Sequence, residues 1–461
     1  METKRTIYNG GNLMEKIMLI CAPVTSRSGY GDHARDLVRA FVDHRDYVIK
    51  IIDVPWGDCP RNALDVNKPE DKAINDRILA DYNLPQQPDV YVDIRIPNEF
   101  QQFGKFNIGI TAGIETSAVS QQWIEGCNKM DLIIVPSEHS KGGFVNTIYD
   151  KLQNLPDGKQ KKIGEVKLEK SIEVLFEGID ETIYRPINKK EMSEEFFDYI
   201  NNTISERFAF LHVGQWGKGG FGEDRKNIGV MIKTFYEAFA NKKKQPALIL
   251  KTSGATFSIL DKEEIIHKIN SVKSRFPSDW KLPNVYLLHG DLSKEEMNYL
   301  YNHPKVKAFV SFTHGEGFGR PLLEATMTGL PVIASNWSGH IDFLDSDKAL
   351  LLGGGLNKVP KSAVWENIII PESQWFTINE LEAYKVLNYC FKEYEDVKRK
   401  AKVLMNQNNN KFKLSDMTKK LKEVIDKYTS NLPKAVGLNL PKLKKVDNTK
   451  SKLELPKLKR I

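Results

Sequence analysis

Cysteine is scarce in this chain, and its spacing excludes two classes of protein. Four cysteines occur among 461 residues, without the spacing of a zinc site or of a disulfide framework. We therefore expect buried, free thiols in a protein of a reducing compartment. The four are Cys21, Cys59, Cys127 and Cys390.

Long apolar runs are also absent from the sequence. No stretch approaches the roughly 20 apolar residues that a membrane-spanning helix needs, and residues 1–16 lack the apolar core of a signal peptide. These absences predict a cytoplasmic protein. The composition, 41% hydrophobic and 28% charged, is that of a globular chain, and the length suits two domains better than one core.

The most informative segment is 314–343, HGEGFGRPLLEATMTGLPVIASNWSGHIDF. It follows an apolar, β-branched run at 306–312, which predicts a strand buried on both faces. A glycine-rich turn comes next, and then Pro321 begins a short helix that ends at Gly329. Such a turn has free backbone N–H groups and the positive end of the helix dipole above it. The segment therefore predicts an anion site, with phosphate as the first ligand to consider.

Two acids flank this predicted anion site, Glu316 in the turn and Glu324 in the helix. Carboxylates repel phosphate, so their useful partners are hydroxyl groups, from which they accept hydrogen bonds. A nucleotide sugar offers both a diphosphate and hydroxyls. The alternative is that Glu316 is a loop acid and Glu324 a solvated side chain.

The spacing of these acids resembles the E-x7-E signature of retaining GT-B glycosyltransferases of the family 4 type. The resemblance continues through GLPVIAS to Gly339. It implies an α/β fold of two Rossmann-like domains facing each other across a cleft, and metal-independent sugar transfer from a nucleotide sugar with retention. It also implies that Glu324 holds the ribose, that Glu316 faces the sugar, and that the amides of Gly317, Phe318 and Gly319 hold the diphosphate.

Two glycines follow the first predicted strand and mark a second candidate contact. The strand at 16–21 runs into a helix through Gly29, Tyr30 and Gly31. A plain strand-to-helix turn is one interpretation. The resemblance implies instead a glycine-rich loop that faces the cleft and meets the donor phosphate.

The segment 107–144 resembles the acceptor side of family 4 members. It carries Glu115 before a Trp-containing helix and the strand end VPSE. Glu115 stands where some members have His, and the resemblance places it near the sugar or the acceptor. Ser137 and Lys141 would line the cleft, or would be a helix N-cap and a solvated side chain respectively.

Cations near the diphosphate are expected after the first strand of the second half. Lys226 matches the family lysine that neutralises the leaving diphosphate, whereas Gln215 stands where the family has Arg. We expect the missing charge to come from Arg225, which stands just before the helix, or from Lys251. Lys251 ends the next strand, and a cation at the C-terminal end of a strand is well placed to reach the cleft. A simple surface role remains the alternative for all three cations.

A further turn, Gly290, Asp291 and Leu292, ends the strand NVYLLHG. The resemblance implies that its backbone carries the nucleotide base. The sequence contains no metal-ligand cluster such as the Asp-x-Asp of the other main transferase fold. We therefore expect no metal and no cofactor apart from the nucleotide-sugar donor.

The order of these segments predicts four parts: an N-terminal acceptor-side domain (1–190), a nucleotide-sugar domain (191–405), a helix packing at the hinge (406–430) and a basic tail (431–461). Residues 159–170, which are basic, predict an exposed loop. The tail holds nine Lys or Arg against two acids, a net charge of +7.

The tail and the departures from the family pattern leave several hypotheses open. A basic tail is either a solubilising extension or a docking segment for nucleic acid, an anionic membrane surface or a protein. If the partner is nucleic acid, the acceptor is a hydroxylated base in DNA; otherwise it is a saccharide, lipid or protein. Because of Gln215 and Glu115, a non-catalytic GT-B subunit and a nucleotide-sugar epimerase also remain alternatives.

Overall fold

The computed structural model describes residues 15–81, 83–155, 159–254, 256–430 and 432, except for the side chain at 154. Apart from residue 432, the predicted tail lies outside the described residues. No helix in the described part of the chain is long and apolar enough to cross a membrane.

The first domain is built on a six-stranded parallel sheet in the order β2-β1-β3-β4-β5-β8. Its strands are β1 Ile17–Ala22, β2 Val48–Asp53, β3 Val90–Ile94, β4 Phe106–Ile110, β5 Leu132–Val135 and, after a separate hairpin β6 Tyr149–Asn154 and β7 Gln160–Val166, β8 Ser171–Val174. Its helices are α1 Gly29–Asp43, α2 Pro69–Asn75, α3 Gln121–Lys129 and α4 Glu138–Asn146.

The second domain has a second six-stranded parallel sheet in the order β11-β10-β9-β12-β13-β14. Its strands are β9 Ala209–Val213, β10 Ala247–Lys251, β11 Val285–Leu288, β12 Val306–Ser311, β13 Val332–Ser335 and β14 Leu350–Leu352, followed by a hairpin of β15 Gly354–Lys358 and β16 Gln374–Ile378. The helices are α5 Glu194–Thr203, α6 Ile228–Phe239, α7 Ile259–Lys273, α8 Lys294–Asn302, α9 Arg320–Met327, α10 Glu380–Lys392, α11 Tyr394–Asn409 and α12 Leu414–Thr429.

Both sheets are covered on both faces, which explains why their strands read as continuous apolar runs. In β1, Met18 and Ile20 face a core that includes residues of α1 and α12, whereas Leu19 and Cys21 face a second core with Trp123 of α3. Apolar side chains are therefore needed at every position of such a strand. The order of strands makes each domain a Rossmann-like α/β unit, as the sequence predicted.

Strand order also fixes where a ligand site should lie. In each sheet the order in which strands are added changes sides at the first strand. β3 lies on the opposite side of β1 from β2, and β12 lies on the opposite side of β9 from β10. Open parallel sheets bind ligands at the carboxyl ends of the strands beside such a switch point. The loops after β1, β9 and β12 hold Gly29, Lys226 and Glu316, and these are the loops from which the candidate site is built.

Three structural features differ from or complete the sequence predictions. Residues 159–170 were predicted to be an exposed loop. They are largely exposed, but the loop prediction was wrong for residues 160–166, which form β7 and pair with β6 in an antiparallel hairpin. The segment after β16 forms two helices, α10 and α11, which meet at Glu393. The last described helix, α12, follows the second domain but packs against α1 of the first.

Candidate functional site

The turn after β12 has the geometry of an anion site. Gly319, the residue before α9, has φ +99°, a conformation that only glycine adopts readily. The backbone N–H groups of Gly317, Phe318 and Gly319 donate no hydrogen bond to any described residue, although all three residues are buried. Buried N–H groups are almost always paired. Three free donors at a helix N-terminus therefore suit a bound anion.

Glu316 lies at the start of this turn and is held from several sides. Its backbone N–H donates to the Ser338 hydroxyl at 2.9 Å. Its carboxylate accepts a hydrogen bond from Lys226, and Arg225 Nη1 lies 3.6 Å from its second oxygen. Arg225 also lies 3.3 Å from Glu115 of the first domain. The structure thus brings together Glu115, Arg225, Lys226 and Glu316, as a cluster of two acids and two cations.

The charges of this cluster set the protonation state of Glu316. Burial by itself raises the pKa of Glu316, but Lys226 and Arg225 outweigh burial and lower that pKa to about 2. Burial lowers the pKa of Lys226, and Glu316 partly offsets this effect. The carboxylate is therefore ionised at neutral pH, and it is an acceptor only.

Glu324 lies on the buried face of α9 and is also bound on both oxygens. The Tyr301 hydroxyl donates to Oε2 at 3.1 Å, and Arg320 Nε donates to Oε1 at 3.2 Å. Burial raises the pKa of Glu324, and Arg320 offsets part of that rise. Glu324 is 7% exposed, so it is not the solvated side chain of the alternative interpretation.

The first domain covers the turn directly. The Ser137 hydroxyl donates to the carbonyl oxygen of Gly317 at 2.5 Å, and the Ser140 hydroxyl lies 3.3 Å from the same oxygen. A Cβ on Gly317 would lie 2.0 Å from the carbonyl oxygen of Ala112. Residues 311–320 are all buried as a result. A ligand that reaches the turn must enter when the two domains separate.

Ser137 caps a helix and also contacts the second domain. It caps α4, because its side chain accepts a hydrogen bond from the N–H of Ser140, and it also contacts the candidate anion turn. Lys141 is half-buried and lies near Glu173, on the edge strand β8. The structure does not bring Lys141 to the acid and cation cluster.

Gly29, Tyr30 and Gly31 form the first turn of α1 and not the glycine-rich loop that the resemblance implied, and Tyr30 fixes their position. The Tyr30 ring stacks on Trp56 with centroids 3.8 Å apart, and its hydroxyl donates to the carbonyl oxygen of Arg95 at 2.7 Å. A Cβ on Gly31 would lie 2.1 Å from the carbonyl oxygen of Ser26, whereas Gly29 has open space around it. All of these contacts stay within the first domain.

The predicted base turn lies beside another lysine. Lys251 Nζ donates to the carbonyl oxygen of Gly290 at 2.6 Å, which places it at this turn and not beside Glu316. Asp291 forms an interdomain ion pair with Arg27, and Leu292 packs against the apolar core. Gln215 is exposed. Of the two candidates for the missing positive charge, the structure therefore brings Arg225 to the cluster.

Comparison with known proteins gives two results. Residues 231–356 match a family model described as Glycosyl transferases group 1, and this segment contains both Glu316 and Glu324. A comparison with curated proteins found no match.

Several solved structures have the same arrangement of domains. HepE from Anabaena, in complex with UDP and glucose, has a TM-score of 0.55 at 11% identity, over 89% of this chain and 100% of that chain. Sucrose-phosphate synthase from Thermosynechococcus elongatus has 0.57 at 11%, over 90% and 99%. A trehalose-6-phosphate structure from E. coli, bound with UDP-2-fluoro glucose, has 0.54 at 10%, over 89% and 98%.

The chain has a GT-B fold. This confirms the predicted architecture of two Rossmann-like domains. Contacts between the GT-B domains near the candidate site include Arg27 with Asp291, Glu115 with Arg225 and Ser137 with Gly317.

Sequence reasoning missed several residues of this GT-B site. Arg320 and Tyr301 bind Glu324, and Asp36 of α1 lies 2.8 Å from Arg320 across the domain boundary. Arg320 stands inside the glycine-rich segment, so a charged residue at the first helical position was the available signal. No sequence pattern indicated Asp36, because its partner Arg320 lies in the other domain.

Glu177 is a further acid that was not anticipated. It follows β8, is 7% exposed, and has its pKa raised to about 7 by burial, despite the opposing effect of Arg320. The acids Asp36, Glu324 and Asp32 contribute to this rise.

Among the described residues, the group that could hold a metal is His44, Asp46 and Asp426. His44 Nε2 lies 3.1 Å from Asp426, and His44 Nδ1 lies 3.3 Å from Asp46. The group therefore joins the end of α1 to α12, and it contains none of the predicted site residues.

Proposed function

We propose that this protein is a glycosyltransferase that moves a sugar from a nucleotide-sugar donor to an acceptor hydroxyl, with retention of anomeric configuration and without a metal. The observation that carries the proposal is the turn at 317–319, whose three N–H groups are unpaired beside Lys226 and Arg225. These donors and cations suit a diphosphate, because charge-assisted hydrogen bonds to phosphate are strong.

Each proposed role follows from a position in the site. The amides of Gly317, Phe318 and Gly319 and the ammonium of Lys226 hold the diphosphate. Glu316 takes one of the three N–H donors of Lys226, so two remain for phosphate oxygens. Glu324 accepts hydrogen bonds from the ribose hydroxyls.

Catalysis in this proposal is electrostatic. Negative charge develops on the departing diphosphate, and Lys226, Arg225 and the turn amides are already in place to stabilise it. Glu316 orients the sugar, and Glu115 faces the reacting centre from the first domain. Domain closure excludes water that would otherwise hydrolyse the donor.

Three proposed donor contacts lie outside this cluster. The backbone of Gly290, Asp291 and Leu292 would hold the base, with Lys251 fixing the Gly290 carbonyl. Gly29, Tyr30 and Gly31 would approach the donor from the first domain. UDP is the first nucleotide to test, since structures with this fold have been solved with UDP or UDP-sugars.

The test is isothermal titration with UDP, GDP, ADP and dTDP, followed by assays of donor hydrolysis with the matching nucleotide glucose. We expect one of these nucleotides to bind, and the matching nucleotide sugar to be hydrolysed slowly to free nucleotide and free sugar. Binding without release would favour the non-catalytic subunit, and conversion of the donor without an acceptor would favour an epimerase. Once an acceptor is found, NMR of the product anomer tests retention.

A further inference from the structure

A buried ion pair joins the two domains beside Glu324. Asp36 lies in α1 of the first domain and is 2% exposed, and Arg320 begins α9 of the second domain and is 8% exposed. Arg320 Nη1 lies 2.8 Å from Asp36 Oδ2, and Nε of the same guanidinium donates to Glu324 at 3.2 Å. The side chain of Arg320 thus connects Asp36 of the first domain with Glu324, the acid proposed to bind the ribose.

We propose that Asp36 is a positioning residue for the donor ribose: through Arg320 it holds the Glu324 carboxylate, so that nucleotide binding and domain closure stabilise each other. The inference rests on the proposed function, because it takes Glu324 as the ribose acceptor.

The hydrogen bonds of Glu324 leave room for a ribose. An ionised carboxylate has about four acceptor positions on its two oxygens. Arg320 occupies one position on Oε1, Tyr301 occupies one on Oε2, and the Tyr184 hydroxyl is a third hydrogen-bond partner. These partners fix the orientation of the carboxylate. The remaining position can accept one ribose hydroxyl, and a second hydroxyl would replace one of the tyrosine hydroxyls.

The charges around Asp36 come mainly from the second domain. Arg39, one turn along α1, lies 3.1 Å from Asp36, and Lys294 of α8 lies 3.9 Å away. Burial by itself raises the pKa of Asp36, but Arg320, Lys294 and Arg39 outweigh burial and lower that pKa. Asp36 is therefore ionised in the closed arrangement, and two of its three cations are lost when the domains separate.

The fork of arginine suits this connection. A guanidinium presents donors in several fixed directions, whereas a lysine ammonium is a single point at the end of a flexible chain. Arg320 can therefore face both acids at once: its Nε donates a hydrogen bond to Glu324, whereas its Nη1 forms an ion pair with Asp36 that does not have hydrogen-bond geometry. When the domains open to admit the donor, Arg320 keeps Glu324 and loses Asp36, so the carboxylate is held less firmly.

The experiment compares the affinity for UDP, or for whichever nucleoside diphosphate the wild type binds, in three variants. Asp36→Asn removes the charge with little change of shape, and Arg320→Lys keeps the charge but removes the fork. Asp76→Asn is the matched control, because Asp76 pairs with Lys72 on the exposed surface of the same domain. We expect about tenfold weaker binding in the first two variants, a typical coupling between sites, and no change in the control.

A second readout separates positioning from general stability. Small-angle scattering of the wild type and Asp36→Asn should show a larger radius of gyration for the variant without nucleotide, and a smaller compaction when nucleotide is added. Asp36→Glu, which restores the charge, should recover part of the affinity.

The possible failures are distinguishable. A wild type that binds no nucleoside diphosphate overturns the proposed function and this inference together. A wild type that binds, with Asp36→Asn binding equally well, overturns this inference alone. A lower melting temperature with unchanged affinity and scattering would show that the pair is only structural.

Discussion

The hydroxyl of Ser137 donates a hydrogen bond to the carbonyl oxygen of Gly317 at 2.5 Å, so the N-terminus of α4 in the first domain contacts the turn at 317–319 of the second domain. The contact takes a carbonyl group of the turn and leaves the N–H groups of Gly317, Phe318 and Gly319 unpaired. The first domain thus covers the turn without using the donors that a diphosphate needs.

This close approach depends on the absence of a side chain at 317. In Gly317→Ala, the new Cβ would lie 2.0 Å from the carbonyl oxygen of Ala112, so the backbone of one domain has to shift relative to the other. We expect donor turnover to fall about 100-fold, since misplacement of about 1 Å has that effect, while circular dichroism stays unchanged. Gly355→Ala, whose Cβ meets nothing within 4 Å, is the control. Wild-type turnover in Gly317→Ala would mean that full closure is not required.

Lys226 is the cation closest to the proposed chemistry. Lys226→Ala should reduce donor turnover by about 100-fold or more, because it removes a preorganised charge that stabilises the leaving diphosphate. It also leaves Glu316 with Arg225 alone, so some loss of stability is expected. Kinetics should therefore be measured well below the melting temperature. Lys233→Ala is the control, because Lys233 is a half-buried lysine of α6 that pairs with Glu237 and Glu380. Near-wild-type turnover would refute the role of Lys226.

Glu324 is predicted to affect both the affinity for the nucleotide and the rate of sugar transfer. Glu324→Ala should weaken nucleotide binding and cut transfer by orders of magnitude, because the ribose loses its acceptor and Tyr301 and Arg320 lose their partner. Titration calorimetry and steady-state kinetics measure the two effects. If Glu324 binds the ribose, removing the 2′-hydroxyl of the nucleotide should weaken binding to the wild type more than binding to Glu324→Ala.

Glu177 should give the stability of the protein a definite pH dependence. Its pKa is about 7 in the folded state against an ordinary value of 4.5, so between these values the folded state binds a proton that the unfolded state lacks. The contribution of Glu177 therefore becomes less favourable as pH rises from about 4.5 to about 7, and is constant above that. We expect Glu177→Gln to raise the melting temperature relative to the wild type more at pH 8 than at pH 5. Equal shifts at both pH values would contradict this prediction.

The tail prediction is tested by deletion. Removing residues 431–461 removes a net charge of +7. If the tail docks an acidic partner, the full chain should bind DNA or anionic vesicles with a steep dependence on salt, and the deletion should bind much more weakly. Donor hydrolysis should be the same in both. Absence of salt-dependent DNA binding discards the DNA hypothesis, and equal behaviour of both chains towards DNA and vesicles supports a solubilising extension.

The fold was largely predictable because its strands are buried on both faces. The runs at 90–94 and 132–135 are apolar at almost every position, and the structure has strands with those bounds. The polar hairpin of β6 and β7 lacks this pattern, and its second strand was predicted as part of an exposed loop. The Asp-Gly pair at 157–158 was the signal that would have indicated a hairpin.

The candidate site was predictable only in part, for a similar reason. Glu316 and Glu324 are close in sequence, so their spacing alone indicates that they belong to one strand–turn–helix unit. The pairs that cross the domains, Asp36 with Arg320 and Ser137 with Gly317, follow from tertiary packing and have no local pattern. The substitution of Gln215 for the family arginine was visible, but only the structure places Arg225 beside Glu316.

A crystal structure with a nucleoside diphosphate that the protein binds is the most direct test of the proposed donor site. We expect pyrophosphate oxygens within hydrogen-bond distance of the N–H groups of Gly317 to Gly319, and ribose hydroxyls on Glu324. A nucleotide bound elsewhere, with this turn still covered by Ala112 and Ser137, would contradict the proposed site.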